Sequence, residues 1–93
     1  MTKYPPGWHV DEHGKRVSIA VKARDFLDAL DLFQEIGDVA EELEHHPDLH
    51  LEGWNRVRIE SYSHDVGHLT ERDEGLVAKV HDILLSRGMV KAP

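Results

Sequence analysis

The 93-residue chain contains no cysteine. Disulfides, thiol catalysis and thiolate-based zinc or iron–sulfur sites are therefore excluded. No apolar run approaches the roughly 20 residues that a membrane helix requires. The opening Met1-Thr2-Lys3-Tyr4-Pro5-Pro6 lacks the apolar stretch of a secretion signal, so a cytoplasmic location is expected. Basic residues are also scarce. Eleven Lys and Arg stand against 18 Asp and Glu, for a formal net charge of −7. Nucleic acids and anionic membranes are bound through clustered cations, so neither is expected as a partner. Internal repeats and low-complexity segments are absent as well.

The composition is otherwise that of an ordinary globular domain, 40% hydrophobic and 31% charged, and one domain spanning residues 1–93 is expected. A chain this short buries a modest share of its surface, which leaves room for one shallow pocket. Association of copies would add buried area. Histidine is in excess: there are eight, and five of them lie between positions 45 and 68.

Pro5-Pro6-Gly7 is a breaker ahead of the first ordered element. Trp8 and Val10, then Val17, Ile19, Val21 and Ala23, follow a period of two around the turn residues Asp11-Glu12-His13-Gly14. This predicts a β-hairpin with Arg16–Ala23 as its stronger strand. Asp25 is a good helix N-cap. Behind it Phe26, Ala29, Leu30, Phe33, Ile36, Ala40 and Leu43, at spacings of three and four, predict an amphipathic helix from Asp25 to Glu44. Gly37 inside that helix costs about 1 kcal/mol relative to Ala, and marks an expected close approach by another backbone. Pro47 ends the helix and forces His46 out of the α region. Asp48–Gly53 is expected to be a loop. Trp54–His64 alternates again, with Val57, Ile59 and Ser61 on one face, and predicts a third strand. Thr70 and Asp73 resemble a capping box. Leu76, Val77, Val80, Ile83 and Leu84 then form the stripe of a second helix, stopped at Gly88. The expected fold is α+β, an antiparallel sheet with two amphipathic helices packed on one face. Its unpaired sheet edges invite a second subunit.

The sequence places His45-His46-Pro47 at the exit of the first helix, where the helix end is partly negative and Glu41, Glu42 and Glu44 lie within a turn. Two imidazoles at a rigid corner suit general acid–base work near neutral pH. His64 ends a strand just before a glycine-containing turn, a frequent place for small-molecule sites. Asp65 beside it can orient the imidazole or cap the turn, and Asp73 is equally well read as a helix cap. Trp8 and Trp54 are either packing residues or a flat wall for a planar heterocycle.

The blocks Glu41-x-x-x-His45-His46-Pro47, Trp54-Asn55-Arg56-Val57 and Ser63-His64-Asp65-x-Gly67-x-Leu69-Thr70-x-Arg72-Asp73 resemble the signature of the pterin-4a-carbinolamine dehydratase family. The resemblance runs from Gly7-Trp8 to the last helix. It implies helices on one side of an antiparallel sheet, and removal of water from a 4a-hydroxytetrahydropterin to give the quinonoid dihydropterin. It implies no metal and no organic cofactor. Carried over by motif position, His45, His46, His64 and Asp73 become the catalytic set. Trp8, Glu44, Pro47, Ser63 and Asp65 fall at the pterin site. A homodimer or homotetramer built through sheet edges and helices is implied, with a pterin-dependent aromatic amino-acid hydroxylase in the same pathway. There are departures. Six residues precede Gly7, so the family's additional N-terminal helix is expected to be absent. Glu44 stands where the family often has Asn, and Gly67-His68 where a Gly-Gly pair is usual.

Two other readings fit the same residues. One is a non-catalytic protein-interaction or regulatory module on this fold. The other is a small metal-binding protein using His45, His46 and His64. Three histidines suggest zinc, although adjacent helical residues diverge by about 100° and no His-Glu-x-x-His spacing occurs.

Overall fold

The computed structural model describes residues 3–92. Its elements are β1 (His9–Val10), β2 (Val17–Lys22), α1 (Phe26–Leu43), β3 (Asp48–Glu52), β4 (Arg56–Ser61) and α2 (Glu71–Ser86). The strands form one antiparallel sheet in the order β1-β2-β4-β3. Alternation sorts its faces. Val17, Ile19, Val57, Ile59 and Ser61 are buried under the helices, while Ala20, Lys22, Arg56 and Arg58 face outward. Ile19, Val57 and Ile59 share one apolar cluster with Leu32 and Ile36 of α1 and Leu76, Val80 and Leu84 of α2. Both helical stripes are thus buried on the same side of the sheet, as the periodicity predicts. No helix among the described residues is long and apolar enough to cross a membrane.

Asp48–Gly53 is not the expected loop. Asp48–Glu52 is a strand, with Leu49 opposite Ile59 and Leu51 opposite Val57 on β4. Leu49 and Leu51 pack against the main core, so the short Leu-x-Leu alternation does report a half-buried strand. Pro47 just before it and Gly53 just after it are breakers, which gives the segment the appearance of a connection. Gly53 and Trp54 have φ of 54° and 66°, the left-handed pair that closes the hairpin.

Asp25 caps α1, its carboxylate accepting from the Asp28 amide at 2.8 Å. Gly37 does not mark a close backbone approach, because a Cβ built there meets nothing within 4 Å. α2 begins with the reciprocal capping box of Thr70 and Asp73. It ends at Gly88, whose φ of 71° accompanies bonds from Gly88 N–H to Leu85 and from Met89 N–H to Leu84.

The exit of α1 matters most for the site. Glu44 adopts φ 54°, ψ 37°, a left-handed position that glycine or asparagine fills more easily. The Glu44 amide donates to Glu41 and the His45 amide to Ala40, so those two carbonyls are satisfied while the chain reverses. The reversal turns His45 inward, to 8% exposure, and leaves His46 outside.

Candidate active site

Hydrogen bonds from four residues converge on Asp73, which is 0% exposed in the first turn of α2. His45 Nε2–H donates to its Oδ1 at 2.8 Å. Ser61 Oγ donates to Oδ1 at 2.6 Å and Ser63 Oγ to Oδ2 at 2.6 Å. The Thr70 amide donates to Oδ2 at 2.9 Å, which is the capping box itself. Burial alone would raise the Asp73 carboxyl, but the bonds from Ser61, Ser63, His45 and Thr70 outweigh it and hold the group below its ordinary value. An ionised Asp73 can only accept, so the His45 proton sits on Nε2. Nδ1 remains as the ring nitrogen free for other chemistry.

His45 opens onto a cleft of about 240 Å³ lined by Glu44, His45, His46, Tyr62, Ser63, His64, Asp65 and Arg72. α1's exit supplies the first three of these and the segment that follows β4 the next four, the strand expected to run to His64 ending at Ser61. His46 is exposed and paired with the Glu41 carboxylate. His64 is exposed too, its ring centroid 5.3 Å from that of Tyr62 at a 45° tilt. Asp65 does not orient His64. It accepts from Arg72 Nη2 at 2.7 Å, and that bond keeps its carboxyl low.

The cleft therefore gathers Glu44, His45, His46, Ser63, His64 and Asp65. It does not gather Trp8, whose Nε1–H donates to His81 Nδ1 at 3.1 Å while the indole packs against the core. Pro47 shapes the chain beside the cleft without lining it. Trp54 is 59% exposed at the β3–β4 turn and forms no wall. Asp73 stands behind His45, bonded to its ring rather than lining the cleft. Ser61, Tyr62 and Arg72 are the site residues that the sequence reading passed over. Ser61 and Ser63 carried a signal: both continue the buried phase of Val57 and Ile59, and a polar residue in a buried phase needs a buried partner.

A larger concavity of about 370 Å³ lies on the open sheet face between Ala20, Lys22, Glu52, Arg56 and Arg58. Its lining includes no imidazole and no buried acid, unlike that of the histidine cleft. The ring nitrogens of His45, His46 and His64 do not form a metal-ligand group. Among the described residues Asp48, His50 and Glu60 do, their ligand atoms lying within 4.8 Å of one another. That group already holds a cation, since Arg16 Nη1 is 3.6 Å from Asp48 and 3.7 Å from Glu60.

The sequence and the fold have parallels among known proteins. The chain is 42% identical over 79 residues to pterin-4-alpha-carbinolamine dehydratase 2, mitochondrial, of Arabidopsis thaliana, covering 83% of this chain and 42% of that one. It is 45% identical over 81 residues to a Rubrobacter xylanophilus protein provisionally named pterin-4-alpha-carbinolamine dehydratase, covering 86% of this chain and 73% of that one. A crystal structure titled transcriptional coactivator/pterin dehydratase, from Brucella melitensis, superposes with a TM-score of 0.75 at 27% identity, over 84% of this chain and 82% of that one. The family model described as pterin 4 alpha carbinolamine dehydratase matches residues 1–83. The matched span contains every cleft residue and the Asp73 network behind it, and the chain belongs to the pterin-4a-carbinolamine dehydratase family.

Proposed function

We propose that this protein dehydrates a 4a-hydroxytetrahydropterin to the quinonoid dihydropterin by histidine general acid–base catalysis. In this reaction the C4a–O bond breaks as the hydroxyl takes a proton and leaves as water. The N5–H proton is lost, and its electron pair forms the C4a=N5 double bond. One acid and one base are needed, on two adjacent atoms of a planar ring. His45 and His64 are the acid–base pair, and His46 contributes positioning and electrostatics. The observation that carries this reading is the fixed orientation of His45, whose Nε2–H is committed to buried Asp73 while the ring borders the cleft that also holds His64. Ser63, Glu44 and Asp65 supply polar contacts to the ring, with Pro47 keeping the His45 corner rigid. Trp8, away from the cleft, serves the fold.

The test is turnover of a 4a-hydroxytetrahydropterin by the purified protein. His45→Ala and His64→Ala are each expected to lower kcat by about 10²-fold, the usual worth of one positioned proton-transfer group. Undiminished activity in both variants would refute the reading. We also propose a cytoplasmic enzyme working beside a pterin-dependent aromatic amino-acid hydroxylase. It would assemble as a dimer or tetramer through the β3 edge and the exposed Phe26, Leu27 and Leu30 of α1.

A further inference from the structure

We infer that the cleft selects pterins whose side chain ends in an anionic group, a carboxylate or a phosphate, and that Lys15 is the residue that reads it. The inference rests on the dehydratase reading and names the substrate class of that site. The histidine cleft does not stop at His64. Tyr62, Ser63 and His64 also border a second concavity of about 190 Å³, completed by Lys15, Arg16 and Gly67. Tyr62, Ser63 and His64 line both spaces, so the two are neighbours at the site.

The two lobes differ in charge. The histidine lobe holds the carboxylates of Glu44 and Asp65, and Asp65 is engaged by Arg72. Glu44 remains as the carboxylate there without a basic partner among the described residues. The aminopyrimidinone edge of a pterin presents adjacent N–H donors, a good match for a carboxylate. The reacting C4a is a ring-fusion atom with N5 beside it in the second ring, and the side-chain carbon C6, bonded to N5, points away from the amino edge. A ring with its pyrimidine edge toward Glu44 therefore sends its side chain away from Glu44, with the neighbouring lobe to receive it.

The two cations of that lobe differ in their surroundings. Arg16 lies over the Tyr62 ring, its Cζ 4.3 Å from the centroid, and its guanidinium is 3.6 Å from Asp48 and 3.7 Å from Glu60. Its charge is thus offset. Among the described residues Lys15 has no carboxylate partner for its ammonium, yet its backbone is anchored, the amide donating to Asp11 Oδ1 at 2.7 Å. In a protein of net charge −7, one uncompensated ammonium at the mouth of a pocket is a local preference for an anion.

The experiment compares two 4a-hydroxytetrahydropterins, one with a carboxylate-ended side chain and one with the matched neutral amide. The wild type is expected to favour the carboxylate by about 5-fold in kcat/KM at low salt, the size of one partly exposed charge contact, with the effect in KM. The preference should shrink toward unity in Lys15→Gln and as ionic strength rises. A fluorescence titration with pterin-6-carboxylate and 6-hydroxymethylpterin reads the same preference without turnover. Equal affinities in the wild type, or a preference untouched by Lys15→Gln, overturn the inference. Preferential binding without dehydration of either substrate upholds the anion preference and overturns the dehydratase reading instead.

Discussion

Asp73 accepts from His45, Ser61, Ser63 and the Thr70 amide, so a single carboxylate joins the start of α2, the end of β4 and the exit of α1. Its lowered carboxyl is a statement about stability. The folded form holds the proton less tightly than the unfolded chain, so the stabilisation is present above the unfolded value near 3.8 and is lost as pH falls through the lower folded one. Urea titrations between neutral pH and pH 2 should show stability dropping below about pH 4 in the wild type. The Asp73→Asn profile should be flatter there and lower at neutral pH by about 1–3 kcal/mol, the cost of leaving buried donors poorly matched. Asp73→Asn should also lower kcat with little change in KM, because the Nε2–H of His45 is no longer held by a charge. A purely structural Asp73 would leave kcat per folded molecule unchanged.

At the scale of elements, α1 and α2 were legible because their stripes and caps are local features: Asp25, the Thr70–Asp73 box and Gly88 do what their positions predict. Gly37 and β3 were misjudged for a shared reason, that the deciding contacts are not local. Whether a backbone passes Gly37 depends on other elements, and none does. Gly37→Ala is therefore expected to stabilise the protein by up to about 1 kcal/mol, seen as a raised Tm. β3 forms because β4 offers Ile59 and Val57 to Leu49 and Leu51 across a tight turn. Leu49→Ala should cost on the order of 2 kcal/mol in chemical denaturation, against under about 0.5 for a surface loop position.

For the molecule as a whole, the N-terminal segment is tied to the site region through Tyr4, buried at 9% exposure beside Val17 and Val77. Burial, with the negative charges of Asp73 and Glu74, pushes its phenol up to about 12. The folded state prefers the neutral phenol, so its contribution is intact below the ordinary value of 10.0 and is lost as pH rises through about 12. An absorbance titration should show one tyrosine ionising late, and Tyr4→Phe should lessen the alkaline loss of stability.

The family signature around His45-His46-Pro47 and His64 could be read directly, as could the pairing of a helical stripe with an alternating strand, because both are set by spacing along the chain. The division of labour between the two adjacent histidines could not. A left-handed Glu44 turns His45 inward to a carboxylate 28 positions away, and sends His46 outward to Glu41. Sequence gives two equivalent imidazoles at a helix end. Tertiary structure decides which of them is oriented, because only the packing of α2 against β4 brings Asp73, Ser61 and Ser63 to one point, where an unpaired charge would be too costly to bury.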